Sequence, residues 1–319
     1  MSTETVSDAP NRARNGVGVS GSGNAPGRAK KRGKAIKFTG TFLAFALPSV
    51  VLLLLLNFYP LIYAAWQSLH FGDLVSQGEF VGLRNFSDVL TSRDFWDTAG
   101  FTLIFTVAGV FGSWAVGLGL ALLLRTRIPL NGLWKVLLLL PWIVPTVVSA
   151  TSWNWLLATP QSPGVIFAHA IGLGNVLFLA DPTLAKVTVC VFKVWISFPF
   201  MMMMMSSALA SVDTNVYEAS KVDGAGTWQT FTRITLPMIS RTTYISWILM
   251  TIFCVNDFPT VFLLLGQGGR ANTLVVQAYE SVFLNNQVGP GVATAFIMTI
   301  VLVVVSVVLY RQIQKVNIE

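Results

Sequence analysis

Charged residues are scarce in this chain of 319 residues. Asp, Glu, Lys and Arg together make up 11% of the sequence, against roughly 25% in an ordinary soluble domain. Because a soluble domain must cover its surface with polar groups, this scarcity argues against a soluble globular enzyme. The hydrophobic fraction of 54% argues equally against a chain that is disordered throughout.

Residue types that build disulfides, metal centres and catalytic sites are also rare. The two cysteines, Cys190 and Cys254, lie inside apolar runs, which predicts buried thiols rather than a disulfide scaffold. The two histidines, His70 and His169, have no helix-spaced ligand partners, so we expect no metal site. The phosphate-binding sequence Gly-x-x-x-x-Gly-Lys-Ser/Thr is missing. We therefore expect no ATP hydrolysis from this chain. Since no paired carboxylates or nucleophile–base pair are evident in its apolar stretches, we expect no other enzymatic activity either.

Long apolar stretches, by contrast, are abundant. A helix that spans a bilayer needs about 20 mostly apolar residues. Six stretches of this kind lie at about 38–59, 97–125, 135–159, 184–210, 242–265 and 280–311. Because every backbone N–H and C=O group in hydrocarbon must be hydrogen-bonded within its own segment, we predict six transmembrane helices and an all-α membrane protein.

The basic residues predict the orientation of these spans. Sixteen Lys and Arg residues fall on one side and four on the other, and the basic excess marks the cytoplasmic side. Both termini are therefore predicted to be cytoplasmic. We expect residues 1–37 to form a disordered basic tail, residues 38–311 the transmembrane domain, and residues 312–319 a short cytoplasmic tail. The net charge of +7 thus indicates topology and contact with membrane lipid, not nucleic-acid binding.

The longest cytoplasmic loop, residues 211–240, has the pattern of two short amphipathic helices around a glycine break. Asp213 is placed to cap the first helix and Thr227 the second. Gly224 permits a backbone turn that residues with a Cβ atom resist. An amphipathic pair on the inner face must pack its apolar side against lipid headgroups or against a cytoplasmic partner.

The sequence of this loop resembles a known motif. Glu218-Ala219-Ser220-x-x-x-Gly224, followed after nine residues by Ile234-x-Leu236-Pro237, is similar to the EAA loop of binding-protein-dependent ABC importer permeases. The segment Asp223-Gly224-Ala225 resembles the carbohydrate branch of that family, the maltose-permease-like proteins. Ser220 stands where the family usually has alanine.

Further matches extend the resemblance over about residues 40–310. In chain order they are residues 58–69, 81–86, 132–145, 153–155, 266–273 and 289–295. Arg270 replaces a proline that is usual in the fifth segment. The resemblance implies the transmembrane fold of type I ABC importers, with about six helices in a multi-pass protein of the bacterial cell membrane.

The resemblance also implies a function. The chain would be a permease subunit that passes a sugar, a di- or oligosaccharide, from an extracellular or periplasmic binding protein to the cytoplasm by alternating access. Its partners would be a homologous second permease and two copies of a cytoplasmic ABC ATPase. ATP and Mg would be used by the ATPase, and this chain would bind no cofactor. The loop would be the coupling helix that docks on the ATPase, through Glu218, Ala219, Ser220, Asp223, Gly224 and Ala225.

Polar residues inside the spans are candidates for the substrate path, because buried polar groups in a membrane usually face a cavity or the bundle interior. A neutral sugar needs hydrogen-bonding groups and aromatic faces. The candidates are Asn256, Asp257 and Phe258 in the fifth span and Trp195 and Phe198 in the fourth. Alternatively, Asp257 pairs with Lys193 to satisfy both charges.

At the level of function, the alternative is a self-contained secondary transporter or channel, for which only Asp257 would fit as a coupling carboxylate.

Overall fold

The computed structural model describes residues 40–316 except residues 77, 127, 175 and 267–270. The predicted tail 1–37 lies outside the described residues, as do Gly268, Gly269 and Arg270 of the resemblance and the last three residues of the chain. The described part is almost entirely helical. Its one β-type contact is an isolated bridge between His70 and Phe80.

The described helices are numbered here in chain order. They are α1 Gly40–Ser68, α2 Arg84–Thr91, α3 Arg93–Val107, α4 Ser113–Arg125, α5 Asn131–Ile143, α6 Thr146–Leu157, α7 Pro163–Ala170, α8 Pro182–Ala210, α9 Thr214–Val222, α10 Thr227–Thr230, α11 Leu236–Val255, α12 Phe258–Leu265, α13 Leu274–Tyr279 and α14 Val288–Val316. Three π-helical turns, Ala108–Gly112, Phe231–Thr235 and Glu280–Leu284, join α3 to α4, α10 to α11 and extend α13.

The predicted spans are confirmed as apolar helices of sufficient length. Five described segments are long and apolar enough to cross a membrane: Phe45–Ser68, Arg93–Arg125, Pro182–Ala210, Thr227–Val255 and Val288–Gln314. The third predicted span is the pair α5 and α6, which passes the same test but is bent by 88°. The bend lies at Val144, whose backbone is extended at φ −69° and ψ 131°. Because Pro145 follows it, a helical conformation at Val144 is disfavoured.

The prediction of one continuous fifth helix is wrong at its C-terminal end. Helix α11 ends at Val255, and α12 begins at Phe258. Asp257 accordingly caps α12 instead of lying within a helix, and Pro259 occupies the first turn of α12, where a missing N–H is tolerated. In addition, α14 continues to Val316, past the predicted end of the transmembrane domain.

Helix α8 packs against α3, α4, α5, α11 and α12, and small residues allow the closest of these approaches. A Cβ atom added at Gly117 of α4 would lie 2.7 Å from the Cβ of Met201 and 2.7 Å from the backbone nitrogen of Met202. The backbones of α4 and α8 are therefore in direct contact. Such contacts are the usual basis of helix association in membranes, where the hydrophobic effect between helices is weak.

Three of the segments that carry the resemblance meet near the predicted outer side. The side-chain amide of Asn85 is buried and donates to the carbonyl oxygens of Ser68 at 2.8 Å and His70 at 3.0 Å. A Cβ atom at Gly289 would lie 2.5 Å from both the Asn85 amide nitrogen and the His70 carbonyl oxygen. These segments thus pack together and have a structural role.

Candidate functional site

Helix α9, the first helix of the predicted coupling loop, starts as the sequence predicts. Asp213 has extended backbone angles, and its Oδ1 atom accepts a hydrogen bond from the backbone N–H of Asn215 at 2.9 Å. This bond satisfies one of the N–H groups that have no partner inside the helix. The acidic side chain also complements the positive end of the helix dipole.

The end of α9 is a Schellman motif built on Gly224. Gly224 has φ +76°, its N–H donates to the carbonyl of Lys221 at 3.1 Å, and the N–H of Ala225 donates to the carbonyl of Ser220 at 3.0 Å. This pair of bonds is the signature of a left-handed helix cap. No atom lies within 4 Å of the position of an added Cβ, so the backbone conformation, and not lack of space, requires glycine here.

Helix α10 begins one residue earlier than its predicted cap implies. Thr227 is the first helical residue and Gly226 precedes it as the capping residue, so the prediction that Thr227 caps this helix is wrong. The N–H of Gly226 donates instead to the Gln229 side chain at 3.1 Å. From Thr227 the chain continues through a π-helical turn into α11 without a break. The loop is therefore joined directly to the fifth span.

Helix α9 has one exposed and one packed face. Glu218 and Ala219 are exposed, whereas Ser220 is buried and donates to the carbonyl of Tyr217 at 2.8 Å. Tyr217 packs against a core cluster formed by α4, α8 and α11. The guanidinium of Arg125, the last residue of α4, lies 4.5 Å from the centre of the Tyr217 ring, a cation–π contact that ties α9 to the base of α4.

Of the six predicted coupling residues, the structure exposes Glu218, Ala219, Asp223 and Gly224, half-buries Ala225 and buries Ser220. Sequence reasoning did not single out two exposed apolar neighbours. Val222 is 88% exposed and Trp228 is 73% exposed. Together with Ala219, they form what we call the loop patch. Isolated exposed apolar side chains are ordinary, whereas contiguous exposed apolar patches mark interaction sites, and the loop patch is a candidate for such a site.

The structure pairs two charged residues of the predicted spans, Lys193 and Asp257. The Nζ atom of Lys193 lies 2.6 Å from Oδ2 of Asp257, and the two side chains are only 7% and 8% exposed. Asp257 also accepts hydrogen bonds from the backbone N–H of Thr260 at 3.1 Å and from the Thr260 hydroxyl at 2.7 Å. The pairing that the sequence left as an alternative is thus present.

A cavity of about 290 Å³ lies beside this ion pair. Its lining residues are Trp142, Thr146, Lys193, Ile196, Ser197, Phe253, Asn256, Asp257 and Pro259. Polar groups and an aromatic ring share this space, which is the composition expected of a site for a small polar ligand. Trp142 and Ser197 were not predicted. The Pro-Trp pair before the bend of the third span is the signal that could have identified Trp142.

The five substrate-path candidates are not all brought together. Asn256 and Asp257 line the cavity. Trp195 instead packs against Trp153 with 5.4 Å between ring centroids. Phe198 is buried, and Phe258 stacks on Phe262 at 4.7 Å. The last three do not line the described cavity.

Comparison with known proteins identifies the family. The model of the family described as "Binding-protein-dependent transport system inner membrane component" matches residues 115–318. The "Trehalose/maltose transport system permease protein MalF" of Thermococcus litoralis is 30% identical over 273 residues, which cover 84% of this chain and 92% of the relative. The "Trehalose transport system permease protein SugA" of Mycobacterium tuberculosis is 29% identical over 262 residues, 80% of this chain and 83% of the relative.

A solved structure shows the same fold. A chain of a bacterial ABC transporter involved in the import of the acidic polysaccharide alginate superposes with a TM-score of 0.75 at 20% sequence identity, and the match covers 86% of this chain and 96% of that chain. The family match, the relatives and the described helices agree on a multi-pass transport subunit rather than an enzyme. The chain therefore belongs to the inner membrane components of binding-protein-dependent transport systems and has the transmembrane fold of type I ABC importers.

Proposed function

We propose that this permease subunit moves a sugar, a di- or oligosaccharide, from an extracellular binding protein into the cytoplasm by alternating access. The support for the sugar is that the relatives are described as trehalose/maltose and trehalose transport permeases. Membership of the family decides against a self-contained secondary transporter or channel. The protein works with a homologous second permease and two copies of a cytoplasmic ATPase, and the ATPase is the subunit that uses ATP and Mg.

The observation that carries the coupling part of this proposal is the construction of the loop. Glu218 and Ala219 face outward on a short helix that is fixed at both ends, by the Asp213 cap and by the Gly224 turn. The opposite face is anchored through Tyr217. A short helix held in this way transmits a push as a rigid body instead of absorbing it.

The route from the loop to the interior is a single stretch of helix. From Thr227 to Val255 the chain runs helically, and it ends beside Asn256 at the intramembrane cavity. When the ATPase displaces the loop, this helical segment therefore moves the residues at the cavity wall. We propose that the sugar passes this cavity, where the Asn256 amide and the Ser197 hydroxyl supply hydrogen bonds and the Trp142 ring supplies an apolar face.

The test compares two exposed glutamates in proteoliposomes that contain all importer subunits. Glu218→Ala removes an exposed carboxylate of the proposed coupling helix, and we expect sugar uptake to fall about tenfold, the effect of losing one interface hot spot. Glu79→Ala, in an exposed segment on the predicted outer side, should leave uptake unchanged. Full uptake by Glu218→Ala, or uptake by this chain alone, would overturn the proposal.

A further inference from the structure

The break between α11 and α12 interrupts the backbone hydrogen bonding of a predicted membrane span. The end of one helix leaves carbonyl groups without intrahelical partners, and the start of the next leaves N–H groups in the same state. In hydrocarbon no water is present to bind such groups, so a helix is broken there only where the protein or a water-filled cavity supplies partners. The break at Asn256 and Asp257 lies within the predicted fifth span and beside the cavity. The side chains of Lys193 and Asp257 at the break are only 7% and 8% exposed, so the backbone groups next to them take their partners from the protein.

A lysine from another helix supplies one of these partners. At the end of α11, the carbonyl of Ile252 accepts from the N–H of Asn256, and the carbonyl of Cys254 accepts from the N–H of Asp257, each at 3.2 Å. The carbonyl of Phe253, between them, accepts a hydrogen bond from Nζ of Lys193 at 3.3 Å. Lys193 therefore serves as a C-terminal cap of α11 although it belongs to α8.

An aspartate supplies the partner on the other side of the break. Oδ1 of Asp257 accepts from the N–H of Thr260 in the first turn of α12, and Oδ2 accepts from both the Thr260 hydroxyl and Lys193. The positive charge thus lies at the negative end of the α11 dipole, and the negative charge at the positive end of the α12 dipole. Both placements are favourable.

We propose that Lys193 and Asp257 are positioning residues that cap the two helix ends at this break and, through it, hold Asn256 at the cavity wall. A buried ion pair is by itself weak grounds for stability, because well-packed apolar residues often replace it without loss. Here, however, apolar replacements would lose two further hydrogen bonds, from Lys193 to the carbonyl of Phe253 and from the N–H of Thr260 to Asp257. Lys193 caps the C-terminal end of one helix and Asp257 the N-terminal end of the next. We therefore expect that the two charged residues cannot exchange places.

The chain contains a natural reporter for the state of this break. It has two cysteines, and Cys254, next to the Phe253 carbonyl, is 1% exposed. Its Sγ atom would lie 2.6 Å from a Cβ placed at Gly109, so the thiol is tightly enclosed. In a Cys190→Ala background Cys254 is the single thiol, and its rate of reaction with N-ethylmaleimide in membranes measures local opening.

Three variants in this background test the proposal. Lys193→Met leaves a buried carboxylate without its cation, and we expect Cys254 to react at least about tenfold faster. The exchange Lys193→Asp with Asp257→Lys keeps an ion pair but places each charge at the wrong helix end, and it should react as fast as Lys193→Met. Lys193→Gln with Asp257→Asn is uncharged but keeps a donor for Phe253 and an acceptor for Thr260. It should stay within about threefold of the background protein.

A second cysteine position shows whether the opening is local. Ser246 lies on the same helix, two turns before Cys254, and is fully buried. With both native cysteines replaced by alanine, Ser246→Cys should label slowly whether or not Lys193→Met is present. Rapid labelling at position 246 would mean general unfolding and would overturn the capping role. Slow labelling of Cys254 in the exchanged pair would overturn it too, because any ion pair would then suffice.

The consequence for transport rests on the proposed function and is measured separately. In complete importer complexes, the exchanged pair should lose uptake at least about tenfold while it still co-isolates with the ATPase. Uptake equal to that of the unmodified protein, with Cys254 opened, would overturn the link between the caps and the cavity wall. Failure of the unmodified chain to assemble with an ATPase would overturn the proposed function, and the labelling result would stand.

Discussion

Gly224 and Gly117 are both required to be glycine, but for different physical reasons. Gly224 lies in open space with φ +76°, so a side chain there would strain the backbone without touching anything. Gly117 has an ordinary helical backbone but leaves no room for a Cβ atom against α8. The first glycine was recognisable from the sequence because it follows a helix pattern with caps. The second was not, since its constraint comes from a residue more than eighty positions away.

Substitutions at Gly224 should follow the cost of the left-handed conformation. Gly224→Ala should destabilise the end of α9 by about 1–2 kcal/mol, Gly224→Asn by less, and Gly224→Val by more, because asparagine visits this region readily and β-branched residues do not. Amide hydrogen exchange across α9 measures the stability of the turn. In the complete importer, the number of ATP molecules hydrolysed per sugar imported should rise from Gly224→Asn through Gly224→Ala to Gly224→Val.

The control for this series is Gly119→Ala. Gly119 is an exposed glycine inside α4 with no atom within 4 Å of an added Cβ. Alanine there should leave exchange and coupling unchanged or stabilise the helix slightly. Equal coupling in all Gly224 variants would show that the shape of this turn does not matter for transmission.

At the scale of elements, the close contact between α4 and α8 predicts that one methyl group added at Gly117 lowers the stability of the protein. Gly117→Ala places a Cβ about 2.7 Å from the Met201 side chain and the Met202 backbone nitrogen, and the backbone cannot yield as a side-chain tip could. The helices must separate, at a cost of about 1–3 kcal/mol. The thermal unfolding midpoint of the purified protein should fall, and the same change at Gly119 should not lower it. An unchanged midpoint for Gly117→Ala would contradict the close approach.

Element type could be predicted from hydropathy, whereas the breaks within spans could not. The residues on both sides of Val144 and of Asn256 are mostly apolar, so composition predicts one span in each case. What decides the break is local backbone chemistry, Pro145 at the first site and the Asp257 cap at the second. In the predicted coupling loop, the Asp213 cap and the Gly224 turn were predictable because they are local, whereas the cap of α10 was placed one residue too late. The cavity was predictable only in part, since Trp142 reaches it from a helix distant in sequence.

At the scale of the whole molecule, the two regions that the sequence singled out are the two ends of one helical segment. The coupling loop begins it at Thr227, and the cavity lies where it stops at Val255. Helix α8 contacts both ends, through the core cluster beneath Tyr217 and through Lys193. Under the proposed function, we expect a tilt of these packed helices to carry the displacement from the loop to the cavity.

The loop patch should be the part of this molecule that recognises the ATPase. Trp228 is 73% exposed, and tryptophan is enriched among the residues that carry most of the binding energy of interfaces. Trp228→Ala should weaken co-isolation of the ATPase at least about tenfold in detergent.

The matched control for this prediction is Trp96→Ala, which removes a tryptophan that is 59% exposed on the side predicted to be outside. Because it is equally apolar but faces away from the cytoplasm, its loss should leave ATPase binding unchanged. Equal effects of the two substitutions would mean that either the predicted orientation or the assignment of the loop patch is wrong, and labelling of the loop from the cytoplasmic side of sealed vesicles would tell which.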